Sequence, residues 1–307
     1  MADDQDGDSP HSAAYFGETR DYWWNADFVQ LMGRRWGLEG VREVLDVGSG
    51  VGHWGRVLAG ALPAEARITG LEREPRWVAE ATQIAAESGL GDRFRYLEGD
   101  IEALPFPDGC FDLVTCQTVL IHAPDAGAAV AEMVRVAKPG GLVAVAEPNN
   151  LASALLLNQA SLEIPLDETL AMVGFQLLCE RGKAALGEGD NAAGELAPGL
   201  FAAQGLVDVQ VFMNDKASAL VPPYVSGEQR ALATEAGESD SAQRWIWSRD
   251  DSRRFFLAGG GSVPEFEHLW SLALSRVAAG AAAVAAGTCA SAGGAVCYLV
   301  SGRKPGA

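Results

Sequence analysis

The chain has 307 residues, 48% of them hydrophobic and 21% charged, which is ordinary for a globular protein and enough for one large α/β domain. Its formal net charge of -18 repels phosphate backbones and anionic lipid, which disfavours nucleic-acid and membrane-surface partners. Five scattered cysteines without a C-x-x-C pair, an acidic MADDQDGDSP start unlike a targeting peptide, and no uninterrupted apolar run of spanning length predict a cytoplasmic protein with reduced thiols.

Polar composition predicts a disordered tail over residues 1–12. Phe28, Leu31, Met32 and Trp36 recur at helical spacing, so a helix is expected from about Asn25. Tyr15, Tyr22, Trp23 and Trp24 gather just ahead of it. They serve either as core or as a lid. Residues 13–40 are read as an N-terminal helical lid, with Tyr22 and Trp23 as candidate substrate contacts.

Strands then alternate with helices. Strands are expected at 43–48, 67–72, 94–97, 111–116 and 142–146, with helices near 53–62, 75–88 and 125–138 between them. Lys138-Pro139-Gly140-Gly141 reads as a helix stop, and the fifth strand is almost wholly apolar, as a strand covered on both faces should be. Helical stripes follow over 167–186 and 191–204, where Pro198 predicts a kink or a later start. A sixth strand is expected at 207–212 and a closing strand at 295–301. Between them, Ser262-Val-Pro-Glu265 reads as a capping box opening a long helix. Residues 13–307 thus form one domain, a doubly wound, seven-stranded, mostly parallel α/β sheet, with 215–292 as a helical insertion or cap before the last strand.

The chemistry is concentrated where the first strand ends. Val44, Leu45 and Val47 precede Gly48, Gly50 and Gly52, a turn in which glycine accepts positive φ and lets a ligand approach the backbone. The helix beyond exposes free N–H groups to a polar or anionic ligand. Gly50, Gly52 and Gly55 fit the dinucleotide fingerprint G-x-G-x-x-G only in part, since Gly48 directly follows the strand and the third glycine would fall at His53. Asp46 with Gly48-Ser49-Gly50 gives D-x-G-x-G instead. Glu72 ends the second strand, where an acidic side chain accepts ribose hydroxyls in either class of enzyme. Gly99-Asp100-Ile101, then Cys110-Phe111-Asp112-Leu113-Val114-Thr115, then Lys138-Pro139-Gly140-Gly141 follow in order.

Over residues 40–148 this series resembles class I S-adenosylmethionine (SAM) methyltransferases, particularly the ubiquinone/menaquinone methyltransferase group. The resemblance implies that Asp46, Gly48, Ser49 and Gly50 surround the methionine part of SAM and that Glu72 holds the ribose. It also implies that Asp100 bonds the adenine amino group beside the Ile101 backbone, and that Gln117 lies near the sulfonium. Ser49 stands where many relatives have cysteine or another small residue.

The expected activity is in-line methyl transfer to a small-molecule oxygen, nitrogen or thioether sulfur, releasing S-adenosylhomocysteine. His122, just past the fourth strand, is a candidate general base or a packing residue, and Glu147 a candidate for binding an amine or accepting a proton. Asn149 is either a substrate ligand or a turn former. A nicotinamide-dependent oxidoreductase and a catalytically idle SAM-binding scaffold are the alternatives. The four histidines, His11, His53, His122 and His268, make no metal-ligand pattern, and no metal is expected.

Overall fold

The structure, a computed structural model, describes residues 18–156 and 162–306. The tail expected over 1–12 and Tyr15 lie outside the described residues. Seven strands form one sheet: β1 (Glu43–Val47), β2 (Arg67–Glu72), β3 (Phe94–Glu98), β4 (Phe111–Gln117), β5 (Ala137–Pro148), β6 (Val207–Met213) and β7 (Cys297–Arg303). Their spatial order is β3-β2-β1-β4-β5-β7-β6. The first five run parallel, while β7 lies antiparallel between β5 and β6. This is the doubly wound, mostly parallel sheet expected from the alternation of elements.

Helices α1 (Ala26–Trp36), α2 (His53–Ala59), α3 (Pro75–Glu87), α4 (Ala126–Val136), α5 (Asn150–Ser153), α6 (Leu166–Ala185) and α7 (Ala193–Ala203) precede β6. One sheet face packs through Leu45, Val47, Val114, Val143 and Val145 against α4 and α7. The other packs through Val44, Ile68, Leu113 and Ala144 against α1 and α2, with Phe28, Met32, Trp36, Trp54 and Leu58. Alternate residues of β1 thus face opposite layers, and all of Val44, Leu45 and Val47 are buried, as a central parallel strand requires.

Two boundaries depart from expectation. The fourth helix stops at Val136 and β5 starts at Ala137, five residues before the expected 142. Lys138-Pro139-Gly140-Gly141 continues the strand because Gly140 takes φ +76 and its N–H donates to the Lys304 carbonyl across the sheet. The last strand begins at Cys297 rather than 295.

Helices α8 (Gly227–Ser241), α9 (Arg249–Ala258) and α10 (Val263–Ala285) fill the 215–292 insertion. They do not form the cap alone. Helix α6 joins them, and Met172, Phe175 and Cys179 from α6 share a separate core with Trp247, Phe255, Phe256, Phe266 and Trp270. Phe175 stacks on Trp245 at 4.7 Å with 6° between the ring planes. Helices α6 and α9 cross closely because Gly182 presents only hydrogen to the Phe255 backbone, where a Cβ would overlap the carbonyl carbon at 2.6 Å. Helix α10 is long and apolar enough, by length and composition alone, to cross a membrane. Glu265, Glu267, His268 and Arg276 interrupt it, so it is not an unbroken apolar run. It packs on the cap through Phe266, Trp270 and Ala273.

The N-terminal segment and the insertion are tied together. Asn25 Nδ2 donates to Asp215 Oδ1 at 3.0 Å, and Asn214 Nδ2 donates to the Trp23 carbonyl at 3.0 Å.

Candidate active site

The sheet order brings the sequence-derived residues to one edge. Asp46, Glu72, Asp100 and Gln117 stand at or just beyond the carboxyl ends of β1, β2, β3 and β4, which are neighbours in the sheet. In an open α/β sheet that edge is where ligands bind. The loop after β1 has the backbone its glycines predict: Gly48, Gly50 and Gly52 take φ +64, +51 and +76. At Gly48 a Cβ would also meet Val119 Cγ2 at 2.6 Å, so the position excludes a side chain on two grounds.

Asp46 is 1% exposed. Its Oδ2 accepts the Gly55 N–H at 3.0 Å, fixing α2 to the strand, while Oδ1 has no partner. Burial pushes its pKa up to about 7, with Glu72 adding to the shift and the Gly55 N–H and Arg56 opposing it. Glu72 lies across the loop, also buried. Its Oε2 accepts the Gly50 N–H at 2.9 Å and its Oε1 the Glu74 N–H at 3.1 Å. A carboxylate at this strand end is the kind of group that accepts ligand hydroxyls. Asp100 is exposed, and its Oδ1 accepts the Glu102 N–H at 2.9 Å, shaping the turn that holds Ile101 against the core. Gln117 is half-buried, beside Thr118 with φ +57.

The acceptor side is built differently from expectation. Glu147 is fully buried, and its carboxylate is engaged by the chain itself. Oε1 accepts the N–H groups of Val119 at 2.8 Å and Leu120 at 3.1 Å, and Oε2 that of Ile121 at 3.4 Å. Burial pushes its pKa up to about 7 against these hydrogen bonds. Glu147 therefore corrects to an anchor for the 3₁₀ turn Leu120–His122 rather than a group that meets substrate. His122, at the exposed end of that turn, is presented toward solvent at the β4 edge. Asn149 also corrects to a local role, since its Oδ1 accepts the Ala152 N–H at 3.0 Å and caps α5.

Of the lid residues, Trp23 meets the His53 ring edge-on at 6.4 Å and Tyr22 lies against Gly227 of α8. The N-terminal segment thus spans from the glycine loop to the insertion. Trp54, beside His53, packs on Trp24 at 4.8 Å and donates to Thr115 Oγ1 at 2.8 Å.

The loop fits SAM on its own chemistry. Asp46 Oδ1, Ser49 Oγ and His53 Nδ1 are buried polar atoms without partners, gathered around a backbone cradle that admits no side chain. Buried groups of this kind call for a polar ligand. Tyr96 and His53 are site residues that sequence reasoning passed over. The Tyr96 ring fills the space that glycine leaves at positions 52 and 70, and period-two alternation along β3 was the signal that pointed it inward. Burial, with Arg20 and Arg56 adding to it, pushes the His53 pKa down to about 3, so this imidazole is neutral at pH 7.

Comparison with known proteins agrees with this geometry. Residues 45–145 match the family described as a methyltransferase domain. The sterol 24-C-methyltransferase ERG6B of Gibberella zeae is 37% identical over 111 residues, covering 36% of this chain and 29% of that enzyme. The 2-methyl-6-phytyl-1,4-hydroquinone methyltransferase of Synechocystis is 31% identical over 202 residues, covering 65% of this chain and 58% of that enzyme. The chain thus matches less than two thirds of the length of either relative. In fold it is similar to the [4+2]-cyclase SpnF, with TM-score 0.52 and 21% identity over 96% of this chain and 90% of that one. It is similar also to YcgJ of Bacillus subtilis, with TM-score 0.51 and 18% identity over 92% and 100%. The match over 45–145 spans the glycine loop, Glu72 and Asp100, and it favours SAM over a nicotinamide dinucleotide as the ligand of that loop. Residues 45–145 of this chain constitute a class I S-adenosylmethionine-dependent methyltransferase domain.

Proposed function

We propose that the protein transfers the methyl group of SAM to a small-molecule acceptor, in the cytoplasm, and releases S-adenosylhomocysteine. The observation that carries this reading is the convergence of Asp46, the glycine loop, Glu72 and Asp100 at adjacent strand ends. Bound SAM supplies an electrophilic methyl on a sulfonium, and the protein's part is alignment. In-line displacement gains much of its rate from holding nucleophile and methyl in register.

In this reading Asp46 and the Gly48-Ser49-Gly50 backbone hold the methionine part and Glu72 the ribose. Asp100 takes the adenine amino group, the Ile101 backbone flanks the ring and Gln117 lies near the sulfonium. Tyr22 and Trp23 cover the mouth, and His122 removes a proton where the acceptor must lose one. The named activities of the relatives, on a sterol and on a phytyl hydroquinone, favour a lipophilic acceptor bearing a hydroxyl. The acidic surface disfavours a nucleic-acid acceptor.

The test is label transfer from deuterated-methyl SAM to a panel of hydroquinones, sterols and amines, read by mass spectrometry. Labelled product with equimolar S-adenosylhomocysteine is expected. The similarity to SpnF, named as a cyclase, favours a second reading in which this fold binds SAM without using its methyl. Tight S-adenosylhomocysteine binding with no label transfer across the panel supports that second reading.

A further inference from the structure

The cap carries a buried polar group that the cofactor site does not use. Glu180 and Lys183 lie one turn apart on α6 and are 4% and 5% exposed. Lys183 Nζ donates to the Ile121 carbonyl at 2.6 Å and to Asn191 Oδ1 at 2.8 Å. Gln176 Nε2 donates to the Asn150 carbonyl at 3.2 Å, and the Asn150 N–H donates to the Asn191 carbonyl at 2.9 Å. These bonds seat the polar face of α6 over the carboxyl ends of β4 and β5, on the turn that carries His122. Glu180 takes no part in them. Neither of its oxygens has a hydrogen-bond partner among the described residues.

The Asn191 and Gln176 amides and the Lys183 ammonium lie near enough to favour the charged form, yet none meets either oxygen in hydrogen-bonding geometry, and a buried carboxylate left so beside an active-site turn has room in its bonding for a ligand donor. Burial pushes the Glu180 pKa up to about 7, with the Asn191 and Gln176 amides and Lys183 pulling it back and Asp190 adding to it. The class of donor follows from the neighbours. An anionic ligand group would be repelled by the carboxylate, and a cationic one gains less here than at an isolated carboxylate because the Lys183 ammonium already offsets the Glu180 charge. A neutral O–H satisfies the carboxylate without either effect.

We propose that Glu180 is the specificity-determining residue of the acceptor pocket, accepting a hydrogen bond from a neutral hydroxyl of the methyl acceptor. The inference rests on the methyl-transfer reading above and extends it from the platform to the cap. It makes α6 a substrate-binding element as well as a cap helix. Lys183, through the Ile121 carbonyl, then holds the hydroxyl's partner and the His122 turn in one frame.

The test uses the full chain saturated with S-adenosylhomocysteine and three matched probes: 4-butylphenol, its methyl ether and 4-butylbenzylamine. Affinities are measured by ligand-observed NMR for the wild type, Glu180→Leu and Glu180→Gln. The phenol should bind the wild type about ten-fold or more tightly than the ether, the size of one hydrogen bond to a charged acceptor. Glu180→Leu should bring the two within about two-fold, and Glu180→Gln, whose amide carbonyl still accepts, should keep part of the preference. Leucine also removes the charge that offsets the buried Lys183 ammonium, so melting temperatures are measured for both variants, and Glu180→Gln carries the comparison should Glu180→Leu melt lower than the wild type. An undiminished phenol preference in Glu180→Leu overturns the proposal, as does a preference for the amine or no binding of any probe. Failure of the methyl-transfer reading shows separately, as loss of S-adenosylhomocysteine binding while the cofactor-free chain still prefers the phenol.

Discussion

The carboxylate of Glu72 accepts the backbone N–H of Gly50 at 2.9 Å, joining the end of the second strand to the glycine loop of the first. One side chain therefore shapes the cradle and faces the expected ribose. Glu72→Ala removes both contributions. S-Adenosylhomocysteine affinity, read by calorimetry, should fall by roughly ten- to a hundred-fold, as expected for charge-assisted hydrogen bonds of about 1.5–3 kcal/mol. Unchanged affinity would place the ribose elsewhere.

Glu147 holds three successive N–H groups of the turn before His122. Glu147→Gln keeps the shape and turns part of the acceptor into a donor facing those N–H groups. Stability should drop by about 2–4 kcal/mol, since buried N–H groups lose their partners. Amide exchange at Val119, Leu120 and Ile121 should accelerate, with the β5 amides unchanged. A variant that keeps its melting temperature and loses only turnover would return Glu147 to the role of a substrate ligand.

Asp46, Glu147 and Glu180 all have pKa values raised by burial to about 7, above the 3.8 and 4.5 of free carboxyls. Each binds its proton more tightly folded than unfolded. The stability each contributes is fully present below about pH 4 and is lost as pH rises through about 7. His53 works in the opposite sense, contributing stability above about pH 6.5 that is lost as pH falls toward 3. With three carboxyls against one imidazole, the cofactor-free protein should melt at a lower temperature at pH 8 than at pH 5.5. Asp46→Asn should flatten that slope. A melting temperature that climbs over the same interval would show that these carboxyls are ionised in the folded state.

Phe175 is fully buried at the centre of the cap core, in ring contact with Trp245, Phe256 and Phe266. Phe175→Ala should cost about 3–5 kcal/mol by cavity formation. Because this core shares no residue with the two sheet cores, the loss should appear in the cap. Proteolysis between α9 and α10 should accelerate while S-adenosylhomocysteine affinity holds. Equal weakening of cofactor binding would show that cap and platform fold as one unit.

The platform was legible in the sequence because its signals are local. An acidic residue closing a strand, glycines directly after it and a second acid at the next strand end are fixed by short-range geometry, and Asp46, Gly48, Gly50 and Glu72 stand as that pattern implies. Glu147 misled for the same reason. An acid at a strand end looks like a ligand, and only the fold of the 119–121 backbone around it shows its oxygens engaged. The Lys138–Gly141 stretch reads as a stop until the Lys304 carbonyl across the sheet takes up its N–H. The contribution of α6 to the cap was hidden further still. Gly182 looks like a weak point in a helix until the Phe255 backbone is seen lying on it, and that contact joins residues 73 positions apart. The unpartnered oxygens of Glu180 belong to the same non-local category.

The separation of the cap core from the sheet cores bears on how such a protein diversifies. Mutations among Phe175, Trp245, Phe256 and Phe266 alter the packing of the cap without touching a residue of the platform cores. On the reading that the cap encloses the acceptor, a lineage can remodel it while inheriting an intact donor site, and selection on acceptor choice and on cofactor retention would then fall on different positions. Related chains should vary together within the cap and, separately, within the glycine platform. Residues that join the two must follow both sets of changes, among them Ile121, Lys183 and Asn191, Gln176 with Asn150, and Asn25 with Asp215.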